Sequence, residues 1–101
     1  EIPILAVHMG GVGHSDLTNA MVEIASIYSN IILIGSAVKT KPILRAIQNL
    51  GASRVCFGSD TPFELMHVEF ARYLALLEGE VPDMEKGLVL GGNIAILCGL
   101  V

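Results

Sequence analysis

The chain has 101 residues, with 6 Lys and Arg against 10 Asp and Glu and a formal charge of -4 when its histidines are neutral. Hydrophobic types make up 52% and charged types 16%, which excludes a disordered chain, since disorder needs low hydrophobicity and high charge. No basic excess is present to neutralise phosphates, which excludes a nucleic-acid module, and no apolar run approaches the roughly 20 residues that cross a bilayer.

Nothing at the start of the chain has the charged segment and apolar stretch of a signal peptide. The charged fraction is low against the usual ~25% of soluble domains, although a small domain exposes more surface per volume than a large one. The expectation is a chain that associates with itself or belongs to a larger apolar core. Cys56 and Cys98 are the only cysteines. One disulfide would be a poor framework, and Cys56 lies in an apolar run where buried thiols are common. Both are expected to be reduced, in the cytosol.

In chain order, Ile2 to Val7 is a nearly continuous apolar run that predicts a strand buried on both faces. His8 to His14 is glycine-rich and reads as a loop. Ser15 is placed to cap a helix whose apolar stripe is Leu17, Met21, Ile24 and Tyr28. Ile31 to Ile34 predicts a second buried strand, closed by Gly35-Ser36. Thr40 is the expected cap of the next helix, Pro42 sits in its first turn, and Gly51 ends it. Its inward residues are Ile43, Leu44, Ile47 and Leu50. Arg54 to Phe57 predicts a third strand, ending in Gly58-Ser59-Asp60.

Pro62 is expected to open a helix with the stripe Phe63, Met66, Phe70, Tyr73 or Leu74, and Leu77, leaving Glu64, Glu69 and Arg72 outward. Asp83 is the expected cap of a last helical stretch that Gly91-Gly92 interrupts before Asn93 to Leu97. The pattern is βαβαβα plus a terminal helix. Apolar strands alternating with amphipathic helices predict an α/β fold with a parallel sheet. Residues 1–101 read as one unit.

In such folds ligands meet the residues at the carboxyl ends of the strands, here His8, Ser36 and Asp60. An imidazole and a carboxylate suit proton transfer or metal ligation. Read singly, His8 can satisfy a turn, and Asp60 can form an Asx-turn or cap the helix after it. Their occurrence at equivalent strand ends favours the functional reading. Gly10-Gly11-Val12-Gly13 lacks the third glycine in register and the later acidic residue of a dinucleotide site. Its glycines are expected to let the backbone turn beside His8. His14 and His67 read as surface residues, and the methionines as packing.

Ile4-Leu5-Ala6-Val7-His8-Met9-Gly10-Gly11 is similar to the strand-six segment of the amidohydrolase-2 group of metal-dependent TIM-barrel hydrolases. Residues 30–36 resemble that family's seventh strand. Leu50 to Phe63, containing Phe57-Gly58-Ser59-Asp60-Thr61-Pro62, resembles its strand-eight signature, and Gly92-Asn93-Ile94-Ala95 its closing helix. The resemblance implies the last three βα units of a (β/α)8 barrel, a fold of ~250 residues. It implies that His8 polarises substrate or activates water, and that Asp60 ligates a divalent metal, usually zinc, and shuttles a proton.

The reaction implied is hydrolysis of an amide or lactone in a small-molecule substrate, or non-oxidative decarboxylation on the same scaffold. The family's first-strand His-x-His pair and its fifth-strand histidine have no counterpart here, and Ser36 receives no catalytic role. The chain alone is therefore expected to bind metal weakly and to have no turnover. Its partners are expected to be the remaining barrel units or further copies of itself, through open strand edges at Ile2 and Arg54. The alternative is a non-catalytic, flavodoxin-like α/β module.

Overall fold

A computed structural model describes residues 2–101. Three parallel strands, β1 (Ile4–Ala6), β2 (Ile31–Ile34) and β3 (Val55–Cys56), form one sheet in sequential order. The strands are joined through α1 (Ser15–Ile27) and α2 (Thr40–Leu50), and α3 (Met66–Leu77) follows β3. The chain closes with α4 (Asp83–Gly87), a π-helical turn at Leu88–Gly92, and α5 (Asn93–Leu97). The α/β class and the alternation of parallel strands with helices are as the sequence predicts.

Parallel crossovers are right-handed, so strands added in one direction place α1 and α2 on the same face of the sheet. The two helices pack along one another there. In register, Ile4 lies beside Ile31, Ala6 beside Leu33, and Leu33 beside Val55. Side chains alternate between faces, so Ile31, Leu33 and Val55 share the helix-covered face and are buried. Ile32 and Ile34, on the other face of the central strand, are half-buried. The core joins Leu33 and Val55 to Met9, Val22, Ile43, Tyr73 and Leu77.

Several local expectations are corrected. β1 spans three residues rather than six, and it is not buried on both faces: Ile4 is 52% and Leu5 48% exposed. It is an edge strand with no neighbour on its outer side among the described residues. The edge of β3 is different, because the Phe57 N–H beyond it donates to the Val89 carbonyl at 2.8 Å. The C-terminal segment therefore meets part of that edge, whereas the outer edge of β1 has no partner among the described residues.

On α1 the buried residues are Thr18, Val22 and Ala25, while Leu17, Ile24 and Tyr28 of the expected stripe are exposed. Small and β-branched residues let α1 lie close to its neighbours, and the larger apolar ones face outward. Ser15 and Thr40 are the first residues of their helices, after His14 and Lys39, and neither preceding side chain caps. The helix expected from Pro62 begins only at Met66. Before it, the Asp60 carbonyl accepts the N–H groups of Phe63 and Glu64 in a tight turn, and Phe63 projects outward. Glu69, expected outward, is buried. Arg72 grips it at 2.9 and 3.2 Å and also donates to the Val38 carbonyl.

Candidate functional site

β1 and β3 are not neighbours; β2 lies between them. Adjacent strands stand about 4.8 Å apart, so outer strands of a flat sheet are roughly twice that distance from each other. Yet His8 Nε2 and Asp60 Oδ1 are 3.9 Å apart. The two loops bend toward each other over the tip of β2. There His8 Nδ1 meets the Ser36 carbonyl oxygen at 2.8 Å and Ser36 Oγ at 2.9 Å. The three strand-end residues singled out from the sequence thus converge. About a quarter of each of the His8 and Asp60 side chains is open to solvent.

The backbone adopts unusual geometry to do this. His8, Met9, Ala37 and Asp60 all have positive φ, at 58°, 47°, 55° and 62°. Outside glycine, such conformations cost roughly 1–2 kcal/mol per residue, and they gather where function requires them. All four follow the carboxyl ends of the three strands. The loop after β1 is held down by Met9, which is fully buried, and by close contact with α1. A Cβ at Gly11 would lie 2.8 Å from the Thr18 methyl and 2.9 Å from Leu17. Gly11 therefore serves close packing, while Gly10 and Gly13, with φ of 75° and 80°, let the backbone turn beside His8 as expected.

Asp60 makes its turn through its backbone carbonyl, and its carboxylate caps no helix among the described residues. Its carboxylate faces the His8 ring at 3.9 Å. The His8 ring bonds across 28 residues to Ser36, so it satisfies no local turn. His14 and His67 are exposed and stand in no cluster with His8.

His8 and Asp60 offer two metal donors, an imidazole nitrogen and a carboxylate. A catalytic zinc takes three from protein, and among the described residues no group of three His, Cys, Asp or Glu side chains could hold an ion. The pair alone does not fit a complete zinc site. Cys56 is buried and Cys98 exposed, and burial pushes the Cys56 thiol up to about 11, partly offset by Asn93. Neither thiol joins the pair.

A cleft of about 440 Å³ opens between the loop after β2 and the segment that leads into α3, lined by Ala37, Val38, Lys39, Thr40, Glu64, Glu69 and Arg72, with neither His8 nor Asp60 in its wall. It has room for a small molecule. Sequence reasoning missed the tertiary role of Ser36 and the Arg72–Glu69 wall of this cleft. Ser36 acts largely through a backbone carbonyl, which leaves no mark on residue type. The spacing of Glu69 and Arg72, three apart on a helix, was the available signal for the second.

Two other motif residues have structural tasks. Arg54 donates to the carbonyls of Ile31, Ala25 and Tyr28 at 2.7–3.1 Å, tying the end of α1 to the start of β2. Asn93 donates to the carbonyls of Ala52 and Val55 at 2.7 and 2.9 Å, anchoring α5 beneath β3. No family model, curated protein or solved structure matches the chain.

Proposed function

We propose that the chain supplies a His–Asp proton-transfer pair to a hydrolase of the amidohydrolase type, acting on an amide or lactone of a small molecule. The observation that carries this reading is the 3.9 Å approach of His8 to Asp60 across the end of an intervening strand. An unprotonated His8 Nε2 accepts a proton from the attacking water, and the Asp60 carboxylate stabilises the imidazolium that results.

The fold reading that goes with this is three consecutive units of a (β/α)8 barrel. It is supported by the sequential strand order, by helices gathered on one face, and by the open outer edge of β1. In such a barrel the helix-free face is the interior, and active sites lie at the carboxyl ends of the strands. A divalent ion, zinc in the family the sequence resembles, would take Asp60 as one ligand and draw its other donors from outside this pair. No helix among the described residues is long and apolar enough to cross a membrane.

The test is turnover by the intact enzyme on a panel of lactones, amides and carboxylates able to lose carbon dioxide. Replacing His8→Ala or Asp60→Asn is expected to lower turnover by about 10²–10⁴-fold, the usual contribution of general acid–base catalysis. Hydrolysis that survives both changes ends the reading. Release of carbon dioxide in place of hydrolysis moves the enzyme to the decarboxylases.

A further inference from the structure

Both contacts of His8 Nδ1 are to one residue, the Ser36 carbonyl at 2.8 Å and the Ser36 hydroxyl at 2.9 Å. A carbonyl oxygen can only accept, so the shorter contact is a hydrogen bond only when Nδ1 carries a proton. With the proton on Nε2 instead, two lone pairs would face each other at that distance. The Ser36 hydroxyl could then donate to Nδ1, but it would leave the repulsion with the carbonyl in place.

We propose that Ser36 is the positioning residue of the pair. Its backbone carbonyl keeps the ring proton of neutral His8 on Nδ1, so that the bare Nε2 faces Asp60 and a reactant that approaches the pair. The importance of this rests on the reading of His8 and Asp60 as the reacting pair. The tautomer itself belongs to the folded chain and is read with no substrate present, so the two claims fail separately.

Ser36 can hold a ring only if it is itself held, and it is held from several sides. The Gly35 N–H donates to the Cys56 carbonyl at 2.9 Å, and the buried Tyr73 hydroxyl donates to the Gly35 carbonyl at 2.6 Å. Beyond β3 the chain passes so close that a Cβ at Gly58 would lie 2.8 Å from Ser36 Cβ and 3.1 Å from its nitrogen. A glycine at 58 is thus what lets the two loops meet. The line of contact runs from α3 through Tyr73, Gly35 and Ser36 to His8. It gives the glycine of the Phe57-Gly58-Ser59-Asp60 segment a task at the site.

The experiment is a long-range proton–nitrogen correlation spectrum of the full chain labelled with 15N-histidine, with pH raised until each ring is neutral. His14 and His67, both exposed, are internal references expected to show the Nε2–H form that free imidazoles prefer. His8 is expected to show Nδ1–H. Ser36→Ala keeps the carbonyl and is expected to retain Nδ1–H, whereas Gly58→Ala displaces Ser36 and is expected to return His8 toward Nε2–H. Circular dichroism checks that each variant is folded; if Gly58→Ala is not, Tyr73→Phe releases Gly35 from the other side and takes its place. An Nε2–H ring in the unmodified chain overturns the proposal. A switch to Nε2–H in Ser36→Ala overturns it too, by transferring the role to the hydroxyl. An unchanged His8 tautomer in the folded displacing variant removes Ser36 as the positioning group.

Discussion

Ala37 follows Ser36 with φ at 55°, a conformation that its Cβ makes costly and glycine adopts freely. Ala37→Gly is therefore expected to stabilise the fold by about 1 kcal/mol, after the greater freedom glycine brings to the unfolded chain is subtracted. A higher urea midpoint with an unchanged m-value is the expected readout; a lower midpoint would show that the turn bears no strain. Cys56 gives a pH-dependent expectation. Burial raises its thiol from 9.0 to about 11 and also pushes the Tyr73 hydroxyl well above its usual range. Between those pH values the unfolded chain gives up the thiol proton while the folded chain keeps it. Stability is whole below about pH 9 and falls as pH rises toward 11. The fall in urea midpoint between about pH 8 and about pH 10 should shrink in Cys56→Ala, which has no thiol to ionise; an equal fall in both would place the sensitivity elsewhere.

At the scale of elements, the order of strands and helices was legible because apolar runs and amphipathic stretches alternate along the chain. α2 was legible in detail, since polar and apolar residues separate on it and Ile43 and Ile47 are buried as expected. α1 and α3 were not. Along α1 and its C-cap the large residues Leu17, Ile24 and Tyr28 outweigh Thr18, Val22 and Ala25 in any reading by hydrophobicity, yet the smaller set faces the core. An apolar face with no partner in the chain looks the same in sequence as one with a partner. The site was legible as polar residues at strand ends, His8 and Asp60, but their convergence depends on positive-φ backbone and the Ser36 carbonyl. Those carry no signature in residue type. Arg54 illustrates an element-scale bond with a measurable cost. Its guanidinium reaches three carbonyls at the close of α1 and the start of β2, and charged hydrogen bonds of this kind contribute about 1.5–3 kcal/mol each when counted singly. Arg54→Ala is expected to lose roughly 2–4 kcal/mol in urea unfolding, with Arg54→Lys recovering only part because an ammonium cannot span the fork. A loss of under about 0.5 kcal/mol in Arg54→Ala would show that water replaces the guanidinium without penalty.

Across the whole molecule the exposed apolar residues are unevenly placed. Ile2, Ile4, Leu5 and Val7 lie on or beside β1, with Leu17, Ile24 and Ile27 on α1 and Tyr28 just after it; a second group, Phe63, Leu65, Met66, Val68, Phe70 and Leu74, lies before and along α3, and a third at the C-terminal end. The radius of gyration, 12.4 Å, is that of a compact domain of about 100 residues, so this surface is not the product of a loose fold. A parallel strand exposed on both faces, with unpaired backbone groups along its outer edge, is a template for another strand. In the barrel reading a preceding strand and helix would cover both β1 and the outer face of α1. Where no such unit is present, a second copy of the chain offers the same chemistry. Light scattering on the full chain is therefore expected to show a mass that rises with concentration. Leu5→Lys places a charge on the open strand, away from His8 and from the edge of β3 that Val89 occupies, and is expected to shift the distribution toward monomer. The thermal midpoint should change little, because Leu5 is already about half exposed. A monodisperse monomer at the highest concentration reached, with Leu5 intact, would mean that this edge needs no cover and would take away the main structural support for a larger barrel.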